Sequence, residues 1–148
     1  MCVTEKRYYL EYINMSVGKK VKDNVRILVG IDGSANSKRA LIEAVSCAKN
    51  LAGYVKVITV YKRGMAEKAE EVLEEAKQYL EEKGIEFTTS AILGSNPARA
   101  LRTTAEQENF DLIVVGSRGW GSKASILLGS VSRQVVANAE CNILVVKK

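Results

Sequence analysis

The residues best suited to chemistry gather where the apolar run Asp111–Val115 (DLIVV) empties into Gly116-Ser117-Arg118-Gly119. Nine residues separate Gly119 from Gly129-Ser130, which open a helical stretch. Glycines permit positive φ and let the main chain approach a bulky anion closely. A helix N-terminus adds unpaired N–H groups and a dipole that favours negative charge, and Ser130 adds a hydroxyl. These parts suit a phosphate. The same residues also fit a plain glycine-rich connection into a capped helix. Neither the GxxxxGK[ST] spacing of a P-loop nor GxGxxG is present.

The other candidates surround this loop. Asp32-Gly33-Ser34 reads either as an acidic group at a ligand-binding edge or as a turn that starts a helix. Arg118 is placed to pair with a phosphate or to face solvent, and Ser117 is open in the same way. Trp120 is a candidate to cover the site and Lys123 to reach a terminal phosphate, while the stripe Val131, Val135, Val136 reads as core.

Composition removes several chemistries. The chain has no histidine, which excludes His-based triads and His-ligated zinc. Its three cysteines, Cys2, Cys47 and Cys141, show no CxxC spacing. Cys47 and Cys141 lie in apolar patterns and read as buried, inert thiols. The net charge of +5 concentrates toward the N-terminal side and reads as a solvated surface. Without interleaved aromatic residues it makes no nucleic-acid platform. No apolar run approaches the roughly 20 residues that span a bilayer, and Met1–Ile13 carries Glu5, Lys6, Arg7 and Glu11. A cytoplasmic protein is the expectation.

The elements that must position the loop follow from periodicity. Val25–Ile31, Tyr54–Tyr61, Ile85–Leu93, Asp111–Val115 and Asn142–Val146 read as strands, mostly as apolar runs of the kind buried on both faces. Between them, helices are expected at Ser37–Leu51, Ala66–Lys83, Ala98–Gln107 and Ser130–Ala139. Ser34 or Ser37 serves as the first N-cap, Gly84 as a C-cap, and Pro97 opens the third helix. On the second helix, Ala69, Val72, Leu73, Ala76 and Leu80 share one face. Five strands alternating with four helices imply an α/β doubly wound parallel sheet. Ligands then sit beyond the carboxyl ends of the strands, at the switch in strand order, which singles out Asp32–Asn36, the segment after Val60, Gly94–Asn96 and Gly116–Gly129. Residues 1–22 read as an N-terminal extension and 23–148 as the domain, with Met15 an alternative start. In the extension, Tyr8, Tyr9, Leu10, Tyr12 and Ile13 are apolar enough to pack on a sheet edge or a dimer partner.

With these residues in view, Gly116-x-x-Gly119-(nine residues)-Gly129-Ser130 resembles the nucleotide-binding signature of the universal stress protein family, in its ATP-binding branch. ILVGIDGSANSKRALIEA, DLIVVGSRG and LLGSVSRQVVANAECNILVV resemble the family too, so the likeness covers about residues 25–148. The resemblance implies a Rossmann-like, adenine nucleotide α-hydrolase-like three-layer sandwich with strand order 3-2-1-4-5. It implies ATP, ADP or AMP across the carboxyl edge, with Gly116, Gly119, Gly129 and Ser130 on phosphates and ribose. Ser117, Arg118 and Val131 would flank them. Asp32, with Gly33 and Ser34, would face ribose, phosphates or a bound Mg ion. Val60 would meet adenine through its main chain, and a homodimer would form through Ile143–Val146.

Two departures stand out: the stretch between Tyr61 and Met65 is short, and the extension has no family counterpart. The resemblance and the lack of a side-chain base together imply a nucleotide-binding stress-response or regulatory module with little or no turnover. Slow ATP hydrolysis or autophosphorylation, a nucleotide-using enzyme of the same superfamily, and a non-binding dimeric interaction module are the alternatives. A phosphoacceptor receiver domain fits poorly, because the third strand ends in Leu93-Gly94-Ser95 rather than in an aspartate.

Overall fold

A computed structural model describes residues 24–119 and 128–147. Nine elements alternate along them: β1 (Arg26–Gly30), α1 (Ala35–Asn50), β2 (Tyr54–Tyr61), α2 (Ala66–Lys83), β3 (Phe87–Leu93), α3 (Pro97–Gln107), β4 (Leu112–Gly116), α4 (Ser130–Asn138) and β5 (Asn142–Val146). The strands form one parallel sheet in the order β3-β2-β1-β4-β5, as expected. The chain leaves β1 toward β2 and β3, then returns to lay β4 and β5 on the other side. The switch in order therefore falls between β1 and β4.

Alternation along each strand divides the core into two layers. Ile27, Val29, Val55, Val57, Leu112 and Val114 pack against α1 and α2. Leu28, Ile58, Ile113 and Val115 face Ala98, Leu101 and Ala105 of α3 and Val135 of α4. Full burial of one such large aliphatic side chain contributes about 1.5–3 kcal/mol. The expected inner face of α2 is the buried one: Ala69, Val72, Leu73, Ala76 and Leu80.

Three details differ from the sequence reading. The first helix begins at Ala35, because the buried Ser34 accepts a hydrogen bond from the Ser37 N–H at 3.2 Å and so caps it earlier. The third strand begins at Phe87 rather than Ile85, since Gly84 takes a left-handed φ of 65° and the Ile85 N–H still closes back on the Leu80 carbonyl. Val136 is 48% exposed and no core residue; it sits about 100° round the helix from the fully buried Val135. The remaining element ends move by one residue, which carries no weight.

Cys47 is buried as expected, whereas Cys141 is half-buried. Burial raises the Cys141 thiol pKa, helped by the Asp111 and Glu106 carboxylates and opposed by main-chain hydrogen bonds. The thiol stays protonated and unreactive at neutral pH. Cys2, Trp120 and Lys123 lie outside the described residues.

Candidate nucleotide site

A cavity of about 630 Å³ opens at the carboxyl edge of the sheet, over the switch between β1 and β4. Its floor is built by the strand ends. Gly30 closes β1 against α3, where a Cβ would fall 2.9 Å from Leu101 Cδ1. Ile58, Val115 and Leu101 supply apolar contact below, and Pro97 and Ser95 form the wall at the start of α3.

The ends of the glycine loop are tied together at the base. The Ser117 carbonyl accepts the Gly129 N–H at 2.6 Å and the Ser132 hydroxyl at 3.0 Å, and Ser132 Oγ also lies 3.0 Å from the Gly129 carbonyl. The Ser117 N–H donates to the Val146 carbonyl, so the whole knot is anchored on β5. Gly116 and Gly119 each have a steric reason to be glycine. A Cβ on Gly116 would meet the Asn36 main chain at 2.9 Å, and one on Gly119 would meet Asp32 Oδ2 at 2.6 Å. Gly119 thus lies directly against the Asp32 carboxylate.

That carboxylate is itself oriented. Asp32 Oδ1 accepts the Ser34 N–H at 2.9 Å, and the Asp32 N–H donates to Ser37 Oγ at 3.3 Å. Gly33 makes the turn at φ 83°. The result is an exposed acidic group, fixed by the first turn of α1 and held over the cavity.

Side chains cap two of the helix N-termini on this edge, whereas Met65 before α2 and Gly129 before α4 give no side-chain cap. Ser34 caps α1 and Asn96 caps α3, its Oδ1 accepting the Arg99 N–H at 2.9 Å. The residue before α4 is Gly129, which has no side chain to cap with. Among the described residues no side chain caps the first amides of α4, which leaves them to an acceptor from the cavity, beside the exposed Ser130 and near Arg118.

Across the cavity lies Val60. In a parallel strand the main-chain N–H and C=O of one residue point to the same neighbour. The Ile31 N–H donates to the Ile58 carbonyl at 3.0 Å, and β1 pairs with β2 only as far as Gly30 opposite Ile58. The next β1-facing residue, Val60, therefore directs its N–H and C=O past the end of β1 and into the cavity.

Of the expected site residues, Asp32, Val60, Gly116, Arg118, Gly119, Gly129, Ser130 and Val131 line this cavity. Gly33, Ser34 and Ser117 do not. Gly33 and Ser34 shape the turn behind Asp32, and Ser117 is buried in the knot below the loop. Lys62, from the segment after Val60, and Ser95, from the loop Gly94–Asn96, line it too, in two loops expected at this edge; sequence reasoning missed Leu101 and Ser132, which also line it. Lys62 carried a signal, since it continues the same-face series Ile58, Val60; Ser132 carried none.

The sequence profile of the universal stress protein family matches residues 24–147. The chain belongs to that family. A universal stress protein of Thermus aquaticus is 36% identical over 136 residues, covering 82% of this chain and 97% of the relative. The solved structure of protein MJ0577 superposes with a TM-score of 0.78 at 26% identity, over 86% of this chain and 98% of the other. A universal stress protein solved in complex with cAMP superposes at TM-score 0.72 and 30% identity, over 85% and 98% of the two chains. The universal stress protein fold is thus that of the three-layer sheet described above. Among the described residues, no helix is long and apolar enough to cross a membrane.

Proposed function

We propose that this universal stress protein binds an adenine nucleotide at the carboxyl edge of its sheet, as a cytoplasmic stress-response or regulatory module with little or no turnover. The observation that carries the reading is the pairing across one cavity of an open helix end with a free strand edge. The uncapped start of α4, with Gly116, Gly119, Ser130 and Arg118, suits phosphates. The Val60 main chain offers a donor and an acceptor side by side, the complement of adenine N1 and its 6-amino group. Guanine presents the reverse pattern at those positions and leaves both Val60 groups unpaired. The relative in complex with cAMP supports an adenine ligand.

Within this reading ATP with Mg²⁺ is the ligand. Among the described residues no three acidic, histidine or cysteine side chains cluster to hold a metal. The single oriented carboxylate of Asp32 nonetheless fits Mg²⁺, which binds through one or two carboxylates with substrate phosphates completing its shell. The ion would neutralise phosphate charge; the chain's own part is to orient Asp32 through Ser34 and Ser37. Without histidine the chain lacks the commonest general base. The same proposal takes the protein to be a homodimer through the outer edge of β5, where Ile143, Leu144 and Val145 are only half-buried.

Thermal melting of nucleotide-free protein with Mg-ATP, Mg-GTP or neither tests the reading. A ligand at one hundred times its dissociation constant adds about 2.7 kcal/mol to the native state. The expected result is a clear rise with ATP, little with GTP, and none in Gly129→Val. No rise with any adenine nucleotide at millimolar concentration would overturn it.

A further inference from the structure

On the opposite face of the sheet, α1 and α2 leave a groove of about 190 Å³. Its walls are apolar: Ile31, Leu41, Ile42, Val72, Ala76 and Tyr79. Ile42 is 47% exposed there. Lys38 Nζ and Glu75 Oε2, which both line the groove, meet at 2.9 Å between α1 and α2, and both are exposed.

We propose that the groove is the docking site of this chain's own N-terminal segment, with Tyr8–Ile13 lying between α1 and α2. Chemistry and charge both match. Tyr8, Tyr9, Leu10, Tyr12 and Ile13 provide apolar bodies for the walls, and tyrosine hydroxyls suit a rim that carries the exposed Lys38 and Glu75. Residues 1–22 carry Lys6, Arg7, Lys19, Lys20 and Lys22 against Glu5 and Glu11. Helix α2 carries the opposite balance: Glu67, Glu70, Glu71, Glu74, Glu75, Glu81 and Glu82 against Lys68, Lys77 and Lys83.

Reach is sufficient. The described chain starts at Asn24, beside the C-terminal end of α1, where the Tyr54 N–H donates to the Val25 carbonyl at 2.9 Å. Residues 14–23 extend to about 33 Å at 3.3 Å each. The 16 residues of α1 rise only about 24 Å. A segment leaving the amino edge of the sheet can therefore return along α1 as far as the groove, which touches that helix at Ser37, Lys38, Leu41 and Ile42.

Two measurements on the full chain test this. Amide exchange at Tyr8–Ile13 should be at least tenfold slower than in a synthetic peptide of residues 1–20, and Ile42→Lys should return it to the peptide's rate. Ile42 is exposed enough for that change to leave the fold intact. In the second, a benzoylphenylalanine photocrosslinker in place of Tyr12, with the rest of the sequence unaltered, should give monomer-sized adducts on α1 and α2. Exchange at the free-peptide rate would overturn the proposal. So would adducts on α3, α4 or β5, or a dimer-sized product, which would put the segment on a second copy.

Discussion

At the scale of single residues, the two glycines that end β4 and begin the loop do different work, and their neighbours say how. A methyl group on Gly116 meets main-chain atoms of Asn36 in the first turn of α1, which cannot move without shifting the helix. A methyl group on Gly119 meets only the tip of the Asp32 side chain, which can move aside by straining its hydrogen bond from the Ser34 N–H. Gly116→Ala should therefore cost about 1–3 kcal/mol of stability, the usual penalty of overpacking. Gly119→Ala should cost less in urea unfolding, at most about the 0.5–1.5 kcal/mol of that one hydrogen bond. It should weaken Mg-ATP binding by about tenfold, or about 1.4 kcal/mol, in calorimetric titration, because the displaced carboxylate can no longer face the phosphates. Equal effects of the two substitutions on stability would contradict this division.

At the scale of elements, the start of α4 matters because no side chain among the described residues caps it. Gly129 sits at φ −70°, ψ 172°, extended backbone open to any residue. Gly129→Ser should thus supply an oxygen to the orphan amides at N2 or N3. Serine exceeds glycine as an N-cap by a few tenths of a kcal/mol. The variant should be as stable as the parent or slightly more so, yet bind nucleotide more weakly, since the new hydroxyl competes with phosphate for the same donors. Melting and titration of one sample check both halves. Unchanged affinity would mean that phosphate does not use the helix end.

The elements themselves were legible because helix and strand periods are local. The α2 face from Ala69 to Leu80 and the five strands needed only the spacing of apolar residues. The glycine loop was legible through its match to a known signature. Ser132 was not, because its role is a hydrogen bond to Ser117, fifteen positions away. Leu101 was not either, since it joins the site only when α3 is packed against the end of β1. Val136 was misread because one residue's turn of a short helix separates inside from outside.

At the scale of the whole molecule, the sheet ends in two exposed edges, and β5 is the more apolar. The Val146 carbonyl accepts from Ser117 on the β4 side, so by alternation Ile143 and Val145 direct their N–H and C=O groups outward. An apolar, half-buried edge with free main-chain groups is a template for pairing with another strand. A second copy related by a two-fold axis would meet it with the same residues. Val145→Pro removes one outward N–H without touching the β4 ladder, and proline is tolerated on edge strands. The proposed dimer then makes a sharp expectation. The parent should scatter light with twice the mass of the 16.2 kDa chain, and Val145→Pro should scatter as a single chain with its parallel sheet intact. Because Val146 ties the dimer edge to the Ser117 knot, nucleotide should also shift the monomer–dimer balance. A parent already monomeric, or a proline variant still dimeric, would move the interface away from β5.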